Sequence, residues 1–122
     1  MKCITFQVCY YLYAMKYTVD VAPTFKKQQK ALAKKYPSLD DDVIAFIESL
    51  KKDPVQGISL GQGLYKVRMK ITSKGLGKSG GARVITCVKI IETKVILAAI
   101  YDKSEQETMT PKELTKLINK IQ

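Results

Sequence analysis

The first part of the chain moves from an alternating hydrophobic pattern to a helical one. Residues 16–21 alternate and are rich in β-branched types, which predicts a strand. Pro23 follows, at a position where the first turn of a helix tolerates proline, and residues 24–36 have a helical composition. The residues that this helix is expected to turn toward the core are Phe25, Leu32 and Tyr36.

A second helix is predicted after Pro37, which ends the first. Ser38-Leu39-Asp40-Asp41 fits a capping box, and its carboxylates suit the positive end of a helix. The helical pattern stops at Lys51-Lys52-Asp53-Pro54. The apolar residues at helical spacing are Leu39, Val43, Phe46, Ile47 and Leu50. The two helices should therefore form a hairpin with solvated charged faces.

The second half of the chain has the two-residue period of strands. Residues 64–71 alternate, 82–91 form a predicted strand, and 94–101 are almost continuously apolar, which is typical of the middle of a sheet. The short connection Glu92-Thr93 predicts a hairpin between the last two strands. Thr110-Pro111-Lys112-Glu113 supplies the cap of a closing helix. The apolar stripe of that helix is Leu114, Leu117, Ile118 and Ile121.

The predicted order β-α-α-β-β-β-α indicates an α+β domain, with helices packed on one face of a mainly antiparallel sheet. At 122 residues the chain can bury one core, so residues 15–122 should form a single domain. Residues 1–14 are interpreted as an extension, or as the result of a start assigned upstream of Met15. Their apolar run is too short to span a membrane, and Thr5 and Gln7 interrupt the apolar segment that a signal peptide would need.

The charge of the chain changes the interpretation of its second half. The formal net charge is +10, and residues 54–91 contain seven Lys or Arg residues with no Asp or Glu. A clustered basic field attracts phosphate-rich ligands, so nucleic acid is the favoured partner. An acidic protein partner, or a purely solubilising role for the charge, is the alternative.

Alternation sorts the cations of the strand from Leu64 onto one face. Lys66, Arg68 and Lys70 then lie about 7 Å apart, close to the phosphate repeat of a nucleic acid strand. The opposite face, Tyr65, Val67, Met69 and Ile71, is expected to enter the core. A solvent-facing strand that resists edge aggregation would explain one or two such cations more easily than three.

The glycine-rich segment that follows imitates two nucleotide-binding motifs and fits neither. Gly75-Leu76-Gly77-Lys78-Ser79-Gly80 matches G-x-G-x-x-G, but a strand rather than a helix follows, and no acidic residue stands at the ribose-reading distance. Gly77-Lys78-Ser79 imitates the end of a P-loop, whose leading glycine is replaced by Thr72. The segment is better interpreted as a flexible basic connection whose lysines, Lys74 and Lys78, can track phosphates.

The chain has no histidine, and its three cysteines, Cys3, Cys9 and Cys87, show no C-x-x-C spacing. A zinc site is therefore not expected. A reducing compartment, the cytoplasm, fits these cysteines, with Cys87 as a small buried strand residue.

RNA cleavage without histidine is chemically possible. Attack by the 2′-hydroxyl needs removal of a proton, stabilisation of an anionic phosphorane and protonation of the leaving group. Arg68 and Arg83 could stabilise the phosphorane, and Lys66, if neighbouring cations lower its pKa, could act as the base. From these residues alone, binding and cleavage are equally supported.

Three motifs in sequence order resemble the RelE/ParE superfamily of bacterial toxins, most closely its RelE and HigB-like branch. They are Leu64-Tyr65-Lys66-Val67-Arg68, the segment from Gly75 through Gly81-Ala82-Arg83-Val84-Ile85, and Ile100-Tyr101-Asp102-Lys103-Ser104-Glu105. The resemblance covers about residues 15–121. It implies a RelE-like fold and the toxin of a type II toxin–antitoxin pair.

The resemblance also implies an activity and its residues. Such toxins enter the ribosomal A site and cleave mRNA by 2′-hydroxyl attack without metal or cofactor, until a cognate antitoxin, here expected to be a helix-turn-helix protein, neutralises them. By position, Lys66 and Arg68 match the basic pair that handles proton and phosphate, and Arg83 matches the arginine at the scissile phosphate. Lys103 matches a basic position at the end of the last strand, and Lys70, Lys74 and Lys78 are expected to contact RNA or the ribosome.

This chain departs from RelE at two places. Ser104 stands where RelE has an arginine, and residues 105–122 lack the functional tyrosine of the RelE C-terminal segment. Tyr65 and Tyr101 are the candidates to stack on a base, although Tyr65 alternates toward the core. A non-catalytic, ParE-like gyrase-inhibiting toxin and a basic RNA-binding protein without toxicity remain as alternatives, and the cations at 66, 68 and 83 favour the ribonuclease over both.

Overall fold

The computed structural model describes residues 17–74, 81–103 and 110–121, apart from the side chains of Lys74 and Ile121. Its strands are β1 (Thr18–Val21), β2 (Ile58–Gly61), β3 (Leu64–Met69), β4 (Ala82–Lys89) and β5 (Lys94–Asp102). Its α-helices are α1 (Pro23–Lys35), α2 (Leu39–Lys52) and α3 (Pro111–Ile121), and a short 3₁₀ turn spans Thr72–Lys74. The interpretation of residues 1–14 and of the start at Met15 falls outside the described residues.

The strands form one sheet in the order β1-β5-β4-β3-β2. Among the described strands, β1 runs parallel to its neighbour, β5, and the other pairs are antiparallel. The predicted α+β class is therefore confirmed. Strand β2 was not predicted, because its four residues begin just after Gly57, end at the first residue of the Gly61-Gln62-Gly63 turn and resemble a loop. All three turn residues have positive φ, which is the signal of a tight hairpin.

Helices α1 and α2 cover one face of the sheet, here called the hairpin face. Phe25 and Leu39 are fully buried in its cluster, together with Val84 from β4 and Leu97 from β5. Tyr65 packs against this cluster, and Val67, Met69 and Ile71 belong to it, as the alternation of β3 predicted. The hairpin face therefore holds the main hydrophobic core.

The third helix lies on the opposite face, here called the row face. Leu117 of α3 packs with Leu64, Ile85, Ala98 and Tyr101 in a separate cluster, which also contains the buried Cys87. The prediction that all helices pack on one face was therefore wrong. An amphipathic stripe shows that a helix packs on a sheet, but either face of this sheet offers apolar residues. The predicted cap is confirmed, since Glu113 N–H donates to Thr110 Oγ1 at 3.2 Å.

Strand β5 contains a bulge. Ile85 pairs with Ala99 and the next residue, Thr86, pairs with Leu97, so Ala98 is an extra residue without a partner in the register. Ala98 and Ala99 consequently both lie in the row-face cluster, and Ile100 returns to the hairpin face. The bulge therefore turns Tyr101 to the row face.

The predicted capping role of Ser38 was wrong. Its side chain makes no cap hydrogen bond, because Ser38 Oγ donates to Asp42 Oδ2 at 2.8 Å and accepts from Ser73 N–H at 2.8 Å. Asp42 also accepts from the Thr72 backbone N–H at 2.9 Å and from Thr72 Oγ1 at 2.6 Å. These bonds fix the start of α2 to the segment that follows β3. Across the described ranges, no helix is long and apolar enough to cross a membrane.

Candidate RNA-binding and catalytic site

Three cations share the row face on neighbouring strands. Lys66 of β3 pairs with Ile85, and Arg68, also of β3, pairs directly with Arg83 of β4. Because Ile85 lies in the row-face cluster and side chains alternate, Lys66, Arg68 and Arg83 all belong to that face. We call these three residues the cationic row. The sequence predicted two of them on one face of β3, and the pairing of β3 with β4 adds the third.

The members of the cationic row differ in exposure. Arg68 is exposed, Lys66 is half-buried, and Arg83 is only 5% exposed. Nη1 of Arg83 donates to the Ala82 carbonyl oxygen at 3.3 Å. Like charges on directly opposed residues of neighbouring strands destabilise a sheet. The Arg68–Arg83 pair therefore places two positive charges on directly opposed residues of the row face.

Tyr101 extends the row onto a third strand, because it pairs with Arg83 across β4 and β5. Its side chain is buried, and that burial raises the pKa of its phenol above the ordinary value. The nearby Arg83 charge acts in the opposite direction on this pKa, whereas Glu113 at the start of α3 raises it further. The Tyr101 phenol therefore holds its proton more tightly than an ordinary phenol does.

Backbone contacts fix the strand ends next to Arg68 and Arg83. Lys103 N–H, just after β5, donates to the Gly81 carbonyl oxygen at 3.3 Å, and the Lys103 side chain is half-buried. A Cβ at Gly81 would lie 2.2 Å from the Met69 carbonyl oxygen, so β3 and the entry to β4 approach too closely for any other residue. Lys70 follows β3 and is exposed. Lys103 and Lys70 therefore lie near the same end of the paired strands.

Asp102 connects this end to the helical hairpin. Its carboxylate is 1% exposed and accepts a hydrogen bond of 2.5 Å from the Tyr36 hydroxyl, which lies immediately after α1. Asp102 stands between Tyr101 and Lys103 in the chain. The bond therefore fixes the backbone that carries both residues.

The predicted site residues thus fall into three groups. The structure brings Lys66, Arg68 and Arg83 together, and it leaves Lys70 and Lys103 close to the end of β3 and β5. Lys78 lies outside the described residues, and of Lys74 only the backbone is described. Among the described residues, no group of three or more His, Cys, Asp or Glu side chains could hold a metal ion.

Sequence reasoning did not predict that Tyr101 pairs with Arg83. Strict alternation along 94–101 would place Tyr101 on the same face as Leu97, inside the hairpin-face core. The Ala98 bulge reverses this placement. A pair of small residues, Ala98-Ala99, in an otherwise bulky apolar strand was the only local signal.

Known proteins of similar sequence or structure agree with this architecture. A family described as the RelE toxin of the RelE/RelB toxin–antitoxin system matches residues 24–121. No curated protein sequence matches the chain. A mutant of the E. coli toxin RelE in the free state has a TM-score of 0.59 at 14% identity, over 88% of this chain and all of that one.

A second solved structure is the toxin–antitoxin complex RelBE2 from Mycobacterium tuberculosis, with a TM-score of 0.54 at 16% identity, covering 73% of this chain and 93% of that chain. These identities establish a shared fold. The family match covers most of the chain and includes every strand of the cationic row. The chain therefore belongs to the RelE family, the toxins of toxin–antitoxin systems.

Proposed function

We propose that this toxin is a ribosome-dependent mRNA endoribonuclease that cleaves by 2′-hydroxyl attack without a metal. The cationic row is the observation that supports the proposal. It concentrates two guanidiniums and an ammonium on one face of the sheet, beside a buried phenol. Preorganised cations of this kind stabilise the charge that develops on a phosphorane.

The exposure of each cation suggests its part in the reaction. Arg68 is exposed and would meet the scissile phosphate first, whereas the buried Arg83 would add a fixed charge in a region of low dielectric constant. Lys66, two residues before Arg68, is the proposed proton-transfer group. Lys70, Lys74, Lys78 and Lys103 would contact the RNA backbone around the cut.

Tyr101 is proposed as a positioning residue for Arg83. Tyr101 is the register partner of Arg83, and burial within the row-face cluster holds its ring in place. Tyr101→Phe would keep the ring and its packing, whereas Tyr101→Ala would remove the support. We expect the phenylalanine variant to retain most of the cleavage rate and the alanine variant to lose it in proportion to the displacement of Arg83.

The proposal names three partners. They are the ribosome, its bound mRNA and a cognate antitoxin, which we expect to be a helix-turn-helix protein. The toxin would act in the cytoplasm, where translating ribosomes are found. The glycine-rich basic segment at 73–81 is typical of HigB-like members and supports placing the chain near that branch.

Induction of the chain with mapping of mRNA 5′ ends tests the proposal. Wild-type protein should arrest translation and produce new 5′ ends within translated mRNA. Arg83→Ala should relieve the arrest, because the buried charge next to Arg68 is lost. Lys89→Ala is the matched control, since Lys89 lies on the same strand but outside the row, where it pairs with Glu92 at 3.7 Å.

Three results would overturn the proposal. The first is an arrest that persists in Arg83→Ala with intact mRNA. The second is a DNA-damage response to wild-type induction with uncut mRNA, which would indicate a gyrase-inhibiting toxin instead. Binding of RNA without any growth defect would identify a basic RNA-binding protein.

A further inference from the structure

An exposed apolar side chain stands directly beside the cationic row. Ile58 of β2 is the register partner of Lys66, and Lys66 in turn pairs with Ile85 of the row-face cluster. Directly opposed residues of neighbouring strands project to the same side of a sheet. Ile58 therefore lies on the row face, one strand out from Lys66, and it is 60% exposed.

Its position distinguishes Ile58 from other exposed apolar residues, which are common on protein surfaces and need no explanation when they occur singly. Among the described residues, the exposed large apolar side chains are Ile44, Val55, Ile58, Ile90 and Ile91. Ile58 lies within a strand, whereas the others lie in α2 or outside the helices and strands. Ile58 is therefore the member of this set that the sheet places beside the cations.

Strand β2 lacks the features that usually protect the edge of a sheet. It is the last strand of the sheet, next to β3, and its residues Ile58-Ser59-Leu60-Gly61 include no charge and no proline. Natural edge strands usually carry lysine or another charge, which prevents pairing with other chains. In a chain with 21 Lys and Arg residues, an uncharged outer strand with an exposed isoleucine indicates contact with an uncharged group.

The backbone holds Ile58 in register with Lys66. The preceding Gly57 has φ +83°, and a Cβ at this position would collide with the Lys66 carbonyl oxygen. This close approach admits only glycine. Gln56 fixes the loop before it, because its Nε2 donates to the Asp53 carbonyl oxygen at 2.7 Å. Ile58 therefore has a fixed place next to the proposed proton-transfer group.

The tyrosines on the strands of the row are turned away from a base bound there. Tyr101 is buried, and Tyr65 packs against the cluster on the hairpin face. A base near the cationic row cannot reach the face of either ring. The exposed side chain of Ile58 is accessible from the row face, where these rings are not.

We infer that Ile58 is the apolar contact for a nucleobase of the mRNA, in the nucleotide whose phosphate Arg68 and Arg83 bind; this inference rests on the proposed function. Ile58 is the diagonal neighbour of Arg68 across β2 and β3, at about 7–8 Å. One ribose separates a base from its phosphate, so a single nucleotide can span this distance. A base is uncharged and has an apolar face, which suits an isoleucine beside cations.

A second copy of the chain is the competing occupant, since unprotected edge strands can pair with each other. Pairing through β2 would extend one sheet across both copies and bring their cationic rows closer together. Like charges brought together across an interface oppose association. A single-stranded nucleic acid has the opposite charge, and therefore fits this edge better.

Methyl NMR titration of the full-length protein tests the inference. One probe is a short single-stranded 2′-O-methyl RNA, which 2′-hydroxyl attack cannot cut, and the other is an oligomer of the same backbone and length without bases. Both should shift the amides of Arg68 and Arg83, but only the RNA with bases should shift the δ1 methyl of Ile58. The δ1 methyl of Ile44 in α2, which is 59% exposed, is the matched control and should not move.

Substitutions give the size of the contact. Ile58→Gln should weaken binding of the 2′-O-methyl RNA about threefold to tenfold, because the base no longer covers an apolar side chain. Binding of the abasic oligomer should not change. Ile58→Val keeps an apolar side chain and should bind within about twofold of wild type. Ile44→Gln should bind as wild type does, and an equal loss in this variant would contradict the inference.

Three further results would sink the inference. An Ile58 methyl that does not shift, whether or not the arginine amides do, would show that the base lies elsewhere. Equal Ile58 shifts with both oligomers would indicate contact with the RNA backbone. A wild-type dimer in sedimentation that Ile58→Gln abolishes would make a second copy the occupant.

Failure of the proposed function gives a different result. Wild-type protein whose Ile58 methyl shifts only with the base-containing RNA, but whose induction leaves mRNA uncut, would contradict cleavage and support the base contact. Wild-type protein that cuts mRNA without a shift at Ile58 would support cleavage and contradict the base contact.

Discussion

The two faces of the sheet use the same strands for different purposes. Among the described residues, the hairpin face buries sixteen in its cluster and the row face only seven. The hairpin face is filled by two helices, whereas the row face shares its area between one helix and two opposed arginines. Most of the buried apolar residues therefore lie on the hairpin face. The row face can then hold two opposed positive charges, although these lower the stability of the sheet.

The largest expected effect is on the free energy of unfolding, which should fall much more for a substitution on the hairpin face than for one on the row face. Phe25→Ala removes a fully buried ring from the hairpin face and should lower the free energy of unfolding by about 3–5 kcal/mol. Arg68→Ala, on the exposed part of the cationic row, should change it by less than about 0.5 kcal/mol. Urea denaturation measures both. Comparable losses in the two variants would contradict the division between the faces.

Two glycine substitutions should distinguish a change in the geometry of the cationic row from a change in stability alone. Gly81→Ala places a Cβ against the Met69 backbone and should cost about 1–3 kcal/mol. Gly61→Ala meets no atom within 4 Å but has φ +86°, so it should cost about 1–2 kcal/mol through backbone strain alone. Only Gly81→Ala should change the amide chemical shifts of Arg68 and Arg83. Equal chemical-shift changes in the two variants would show that Gly81 does not help to set the positions of Arg68 and Arg83.

Tyr36→Phe tests the connection between the helical hairpin and the end of β5. It removes the hydroxyl that donates to the buried Asp102, and should cost about 1–2 kcal/mol because a buried carboxylate loses a donor. Tyr65→Phe is the control, since Tyr65 makes no side-chain hydrogen bond within the described ranges, and its effect should be below about 0.5 kcal/mol. Thermal or urea unfolding gives the comparison, and equal costs would argue against the Asp102 link.

The smallest effect concerns pH. Because the pKa of Tyr101 is raised in the folded state, folded protein holds the phenolic proton more tightly than unfolded protein does. The resulting stability is fully present below the unfolded pKa near 10.0 and is lost as pH rises through the folded value. Urea midpoints of wild type and Tyr101→Phe should therefore differ by a constant amount up to about pH 10 and diverge above it. A constant difference between the two urea midpoints at every pH would contradict the raised pKa of Tyr101.

Much of the fold was predictable because its signals are local. Proline positions, the two-residue period of β3 and the Thr110 cap each specify a short segment, and α1, α2 and α3 appeared close to their predicted bounds. The face occupied by α3 was not predictable, since both sides of the sheet are apolar. The β2 strand was missed because its turn needs three successive positive φ angles, which two glycines and Gln62 supply.

The site was predictable only in part. Alternation placed Lys66 and Arg68 together, but the partner of Arg68 depends on the register between β3 and β4, which arises from turns and packing rather than from either strand alone. The role of Asp42 likewise depends on Thr72, thirty residues away in the chain. Long-range pairings of this kind leave no periodic trace in the sequence.

The extra residue at Ala98 has a consequence for comparing this chain with its relatives. Homologues with a regular last strand would match β5 only if a one-residue gap is opened at this position. An ungapped alignment would assign Tyr101 the environment of a core residue and Ile100 that of a neighbour of arginine. Insertions and deletions are usually expected in loops, but alignments of this chain should also allow a one-residue gap in the middle of β5.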